Sequence, residues 1–109
     1  MEKIISKLSE IKPNQKNVFV ENVKVIETKL IKASNGSDLC FGKIIDDSIT
    51  EPINITAWDN ASKFLDGAKV IDLENVYCKE YNHAKEITTG KWGRIKVIKK
   101  EDKDEKRTN

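Results

Sequence analysis

The sequence predicts an all-β protein: a small closed barrel of five short strands, with a short helix between the third and fourth strands and another at the N-terminus. Three observations predict it. From Val18 onward apolar residues recur at every second position in short runs, the period of a strand with one buried face. Turn-forming clusters, Ser34-Asn35-Gly36-Ser37 and the polar stretch from Asp46 to Pro52, separate those runs. The 109 residues, 38% hydrophobic and 35% charged, supply one modest core and so one domain. With strands this short, closure removes the edges that an open sheet would leave exposed.

The elements follow in order. Ile4, Ile5, Leu8 and Ile11 recur at helical spacing, so residues 1–10 read as a short amphipathic helix that Pro13 ends. Val18 and Val20 then alternate with outward residues, and Val23 and Val25 do the same with opposite parity. Glu21 and Asn22 absorb the shift as a β-bulge would. Phe19 takes the outer parity. After the turn at Gly36, which tolerates positive φ, a second strand runs through Leu39, Phe41, Lys43 and Ile45. Asp46 and Asp47 read as turn chemistry, and Pro52 stands outside the next strand or at its first residue.

The third strand, Ile53 to Trp58, alternates cleanly. Asp59 or Asn60 caps a helix of about two turns through Ala61–Leu65, closed by Gly67. A fourth strand covers Lys69 to Glu74 and a fifth Val76 to Tyr81. A last one includes Ile87, with Ile95 and Val97 extending or covering the sheet. Phe41 and Phe64 read as core and His83 as a turn residue. Residues 11–98 thus form the domain. Residues 99–109, KKEDKDEKRTN, carry no apolar side chain and read as a disordered charged tail.

Several function classes are disfavoured by composition. No apolar run approaches the ~20 residues that span a bilayer, and the polar N-terminus is unlike a signal peptide. Cys40 and Cys78 are too few for a disulfide framework or a metal cage, which fits a reducing cytosol and two core thiols. No Gly-rich phosphate loop, nucleophile elbow, carboxylate cluster or metal-ligand spacing is present, so neither an enzyme nor a cofactor is expected. The formal net charge is only +2, so a nucleic-acid partner would have to be held by more than bulk charge.

Strand parity points to what that is. If Ile53, Ile55 and Ala57 face the core, Asn54, Thr56 and Trp58 face outward. In the next aromatic strand Val76 and Cys78 take the inward parity, which leaves Tyr77, Lys79 and Tyr81 outside. An exposed aromatic row on a polar face has no stability reason to exist, whereas unpaired bases stack on such rings. Between Tyr77 and Lys96 the cations Lys79, Lys85, Lys91, Arg94 and Lys96 face only Glu80 and Glu86, a local net of +3. Trp92, in Gly90-Lys91-Trp92-Gly93-Arg94, reads either as a lid over one end of the barrel or as a further stacking residue. The expected contact set is Trp58, Tyr77, Tyr81, Lys79, Trp92, Lys91, Arg94, Lys43, Asn54 and Thr56. Docking of a partner protein on the same face is the alternative, and stacking alone does not separate DNA from RNA.

The segments Ile11-Lys12-Pro13 with Asn17-Val18, Ile53-Asn54-Ile55-Thr56-Ala57-Trp58-Asp59, Gly67-Ala68-Lys69-Val70-Ile71 and Leu73-Glu74-Asn75-Val76-Tyr77 resemble single-stranded DNA-binding OB-fold proteins. The simple archaeal single-stranded DNA-binding proteins, their counterparts in the sensor-of-single-stranded-DNA complex, and the OB repeats of archaeal replication protein A are the groups meant. The resemblance runs from about Ile11 to Ile98. It implies a five-stranded Greek-key OB-fold barrel and binding of single-stranded DNA with little sequence preference in replication and repair. It also implies other OB domains or replication and repair proteins as partners, no membrane, and a cytoplasmic, nucleoid-associated protein of archaeal type. In that family the strand-ending Trp and the aromatic pair four apart stack on bases, positions that fall here on Trp58, Tyr77 and Tyr81. Two departures stand out. The hairpin from Asp46 to Pro52 is longer than the family's Asp-x-Thr-Gly turn and lacks its glycine. Thr88 stands where some relatives carry another aromatic. The mixed-charge ending also fits one OB unit of a longer protein.

Overall fold

The first strand decides the architecture, because a five-stranded sheet closes only when the strand at one edge also pairs with the strand at the other. In the computed structural model, which describes residues 4–100, β1 (Val18–Lys32) does this. Its start pairs with β4 (Ala68–Tyr81), and the stretch from Lys24 to Lys32 pairs with β2 (Asp38–Ile45). The register slips between Val20 and Val23, at the expected bulge. Asn22 takes a left-handed φ of 58° there, and its N–H donates to Asp72 Oδ1 at 2.9 Å. A second slip between Val25 and Glu27 bends the strand again and leaves Ile26 exposed.

β2 pairs with β3 (Ile53–Trp58), β3 runs parallel to β5 (Ala84–Thr88), and β5 pairs with β4, which returns to β1. The circuit β1-β2-β3-β5-β4-β1 is a closed five-strand OB-fold barrel. The six-residue helix α1 (Asn60–Leu65) joins β3 to β4 and buries Ala61 and Leu65. β6 (Arg94–Lys100) lies along the first half of β4. The core is aliphatic: Val18, Val20, Val23, Ile44, Ile55, Ile71, Leu73, Val76 and Ile87 pack with Leu65 and with the thiols of Cys40 and Cys78. Burial pushes the Cys40 thiol up to about 11 and raises that of Cys78 as well.

Four expectations are corrected. The two strands read over Lys69–Glu74 and Val76–Tyr81 are one strand, β4. Asn75, at φ 56°, bends the chain without ending it: β1 pairs on both sides of it, through Leu73 and Val76, while β6 pairs up to Glu74 and β5 takes over from Tyr77. The N-terminal segment is helical only over the three residues Leu8–Glu10, because Ile5 bridges to Phe19 and the Ser6 N–H donates to the Phe19 carbonyl. Lys99 and Lys100, read as tail, pair with Val70 and Ala68 in β6; the rest of that segment lies outside the described residues. Phe41 and Phe64, read as core, are both exposed.

The loop from Asp46 is an anchor as well as a turn. Burial pushes the Asp46 carboxyl up, but the Ser48 hydroxyl and the N–H groups of Leu8 and Ser48 outweigh it and hold the group below the usual carboxylate range. This pins the N-terminal segment, whose Leu8 and Ile11 are buried in the core, against the β2–β3 loop.

Candidate nucleic-acid interface

The outer surface of β2, β3, β5 and β4 carries two cross-strand rows. Phe41 is the register partner of Thr56, Thr56 of Thr88, and Thr88 of Tyr77. One step along the strands, Lys43 faces Asn54, Asn54 faces Glu86, and Glu86 faces Lys79. Strands ~4.8 Å apart set Phe41 and Tyr77 about 14 Å from each other across a floor of two threonines, and the rows lie about 7 Å apart. Trp58 ends β3 beyond the first row, and Tyr81 ends β4 beyond the second.

The rings stand in solvent to different degrees. Phe41 is 42% exposed, Trp58 36%, Tyr77 37% and Tyr81 65%. Tyr77 is held from behind: Gly90 takes φ 57°, and a β-carbon there would meet Tyr77 Cε1 at 2.8 Å. Only a glycine lets that ring lie against the loop. Tyr81 precedes a two-residue hairpin in which Asn82 and His83 both take positive φ, so His83 is indeed a turn residue.

These side chains line one continuous track. Its first part is a groove of about 590 Å³ walled by Phe41, Trp58 and Tyr81 and edged by Lys29, Lys43 and Lys79. Trp58 and Lys79 carry it into a second part with Tyr77, Thr88 and Lys91. Tyr77 and Lys91 carry it into a third with Lys16 and Trp92. A comparable hollow beside the N-terminal segment, lined by Lys7, Lys24, Asp46 and Asp47, holds no aromatic ring, and its Lys7 is already paired with Asp47 at 2.8 Å.

Of the expected contact residues, Trp58, Tyr77, Tyr81, Lys79 and Asn54 stand together as parity placed them, and Lys43 stands with them. Lys91 joins them from the β5–β6 loop, and Trp92, 76% exposed, extends the track without reaching Trp58. Thr56 is corrected: it has the outward parity but is buried in the floor, where its hydroxyl donates to Glu86 Oε2 at 2.7 Å. Arg94 is corrected too. It begins β6 opposite Glu74, with Lys96 opposite Asp72, outside all three parts of the track. Thr88, where a further aromatic was in question, is buried beneath Tyr77 and accepts from the Gly90 N–H.

Three participants escaped the sequence reading. Phe41 was assigned inward, although its parity with Lys43 and the inward alternation of Cys40, Gly42 and Ile44 signal the opposite. Lys29, the register partner of Phe41, lies on the part of β1 beyond the bulges, where parity is hard to carry forward. Glu86 was counted as a stray acid in a basic segment. Its side chain is only 16% exposed, with Oε1 3.9 Å from Lys79 Nζ, so a carboxylate lies at the centre of the face.

No protein-family model matches this chain, and no curated protein matches it by sequence. Solved structures do. The chain is similar to the second OB-fold domain of replication protein A from Methanococcus maripaludis, with 25% identity and a TM-score of 0.57 over 89% of this chain and 97% of that one. It is similar to the OB domain of a Thermoplasma acidophilum protein, with 19% identity and a TM-score of 0.57 over 86% of each. A hypothetical protein from Arabidopsis thaliana gives 23% identity and a TM-score of 0.66, over 94% of this chain and 82% of that one.

Proposed function

We propose that this protein binds single-stranded DNA, as a non-catalytic cytoplasmic protein of replication or repair, by stacking unpaired bases on Phe41, Trp58, Tyr77 and Tyr81. The OB-fold neighbours, one of them a replication protein A domain, support a module that binds nucleic acid or protein. The observation that carries the narrower reading is the continuous track: rings exposed on three strands of one four-stranded face, with lysines at its edges. Stacking grips every base through its π-face, so sequence preference is small, and it needs little net charge. That answers the modest +2 of the whole chain.

Trp58 and Trp92 are the two tryptophans and both line the track, so they report on it directly. Titration with an oligothymidine should quench their fluorescence, while a duplex of the same length should quench little. A titration with the matching RNA then separates a DNA binder from an RNA binder. Unchanged fluorescence, with no retardation of any oligonucleotide at low salt, would refute the reading and favour protein docking on this face.

A further inference from the structure

We propose that Glu86 forms a base-reading subsite in the middle of the groove, selecting nucleobases whose edge presents hydrogen-bond donors, guanine foremost, over thymine; this rests on the single-strand reading above. The placement is unusual for a carboxylate. A groove that holds a polyanion gains nothing from a negative charge on its floor, yet Glu86 lines the first groove segment, flanked by Asn54 and Lys79. Its Oε2 is fixed by the Thr56 hydroxyl at 2.7 Å. Lys79 Nζ, at 3.9 Å from Oε1, is beyond hydrogen-bond reach, so Oε1 keeps its acceptor capacity for a ligand.

An ionised carboxylate accepts and cannot donate. Guanine offers it two adjacent donors, N1–H and the 2-amino group; cytosine and adenine each offer one amino group beside an acceptor nitrogen. Thymine offers a single N3–H between two carbonyl oxygens, which would face the carboxylate and leave its charge desolvated without partners. A base stacked on Trp58 or Tyr81 from the first groove segment lies over the floor that Glu86 shares with Asn54, whose exposed amide adds a donor and an acceptor. Stacking then supplies grip at every position, and this one position adds a modest preference.

Fluorescence anisotropy tests it. The probes are a labelled oligothymidine of about twelve nucleotides, the length scale of an OB site, and the same strand with scattered guanines or with inosines in their place. The wild-type protein should bind the guanine strand about five- to tenfold more tightly than oligothymidine, near the low end for one paired base edge. The inosine strand, lacking the 2-amino group, should fall between. In Glu86→Gln, whose amide oxygen still accepts from Thr56, the guanine advantage should close to within about twofold and oligothymidine should bind more tightly as the charge leaves. Equal wild-type affinities for the thymine and guanine strands would overturn the subsite and leave strand binding intact. A guanine preference that persists in Glu86→Gln would overturn it too. No binding of any strand would overturn both it and the parent reading.

Discussion

Tyr81→Ala separates binding from folding better than Trp58→Ala. The ring is 65% exposed, so about a third of a tyrosine's surface is covered by the fold. Against the 150–250 Å² that a buried aromatic hides, that third is roughly 50–80 Å², or about 1–2 kcal/mol of stability at ~25 cal/mol per Å². Trp58, only 36% exposed, would lose about twice the share, and its loss would confuse the two effects. A base stacked on Tyr81 contributes ~1–3 kcal/mol, so the variant should bind an oligothymidine about 5- to 150-fold more weakly. Trp58 remains in place as the fluorescent reporter. Urea unfolding measures the stability arm and fluorescence titration the binding arm. Binding within twofold of wild type, with stability lowered as expected, would show that this ring does not stack, and the track would end at Lys79.

The remaining predictions concern electrostatics, backbone and core. Lys29, Lys43, Lys91 and Lys16 edge the track while Lys79 leans on Glu86; three or four phosphate contacts give a logarithmic salt slope of roughly −2 to −3 for oligothymidine, and a slope much steeper would mean that charge dominates. Gly90→Ala forces a side chain into φ 57° and against the Tyr77 ring; it should cost about 1–3 kcal/mol in urea unfolding and weaken oligonucleotide binding as Tyr77 is displaced. Asp46→Asn keeps one side-chain oxygen and so takes the acceptor from either Leu8 or Ser48; it should cost about 1–3 kcal/mol at neutral pH. Because the folded Asp46 carboxyl lies below its unfolded value, the unfolded chain takes up the proton first as pH falls. Its contribution is complete above about pH 4 and fades below that, so the gap between wild type and Asp46→Asn should narrow toward pH 3. Cys40, with its thiol at about 11, and buried Cys78 should resist a thiol reagent at pH 8 in the native protein and react fully in urea.

Strand parity carried most of the site, because an alternation of period two survives wherever a strand is regular. Ile53 to Trp58 is such a strand, and every outward residue named there takes the predicted side. Parity fixes direction and not burial, which is why Thr56 points outward and is still covered. The barrel itself was readable from the shift between Val20 and Val23, since only a bulge reconciles the two valine pairs. What was not readable depended on long-range pairing. Nothing local distinguishes Asn75 as a bend within one strand from a turn between two; only its partners do, with β1 paired on both sides of it, β6 before it and β5 after it. The basic rim failed for a similar reason. Adjacency in sequence put Arg94 and Lys96 with Lys79 and Lys91, but β6 turns away along the first half of β4 and sets them opposite Glu74 and Asp72.

The electrostatics of the face also constrain how a strand would lie on it. Glu86 occupies the floor in the second cross-strand row, between Asn54 and Lys79, with Asp38 and Asp59 near the Trp58 end. A phosphate backbone running over β5 would meet that carboxylate at close range with no counter-charge except Lys79, already half engaged. The lysines instead flank the floor: Lys29 and Lys43 on the β1–β2 side, and Lys91 and Lys16 beyond Tyr77. The phosphates of a bound strand would therefore be stabilised along the rims and repelled from the centre, which would turn its bases inward onto the rings. A duplex cannot adopt that pose. Its bases are already stacked and paired inside, and only phosphates would reach the floor. On the proposed reading, discrimination between single and double strands would need no separate device: a carboxylate placed to read a base edge would also exclude the backbone.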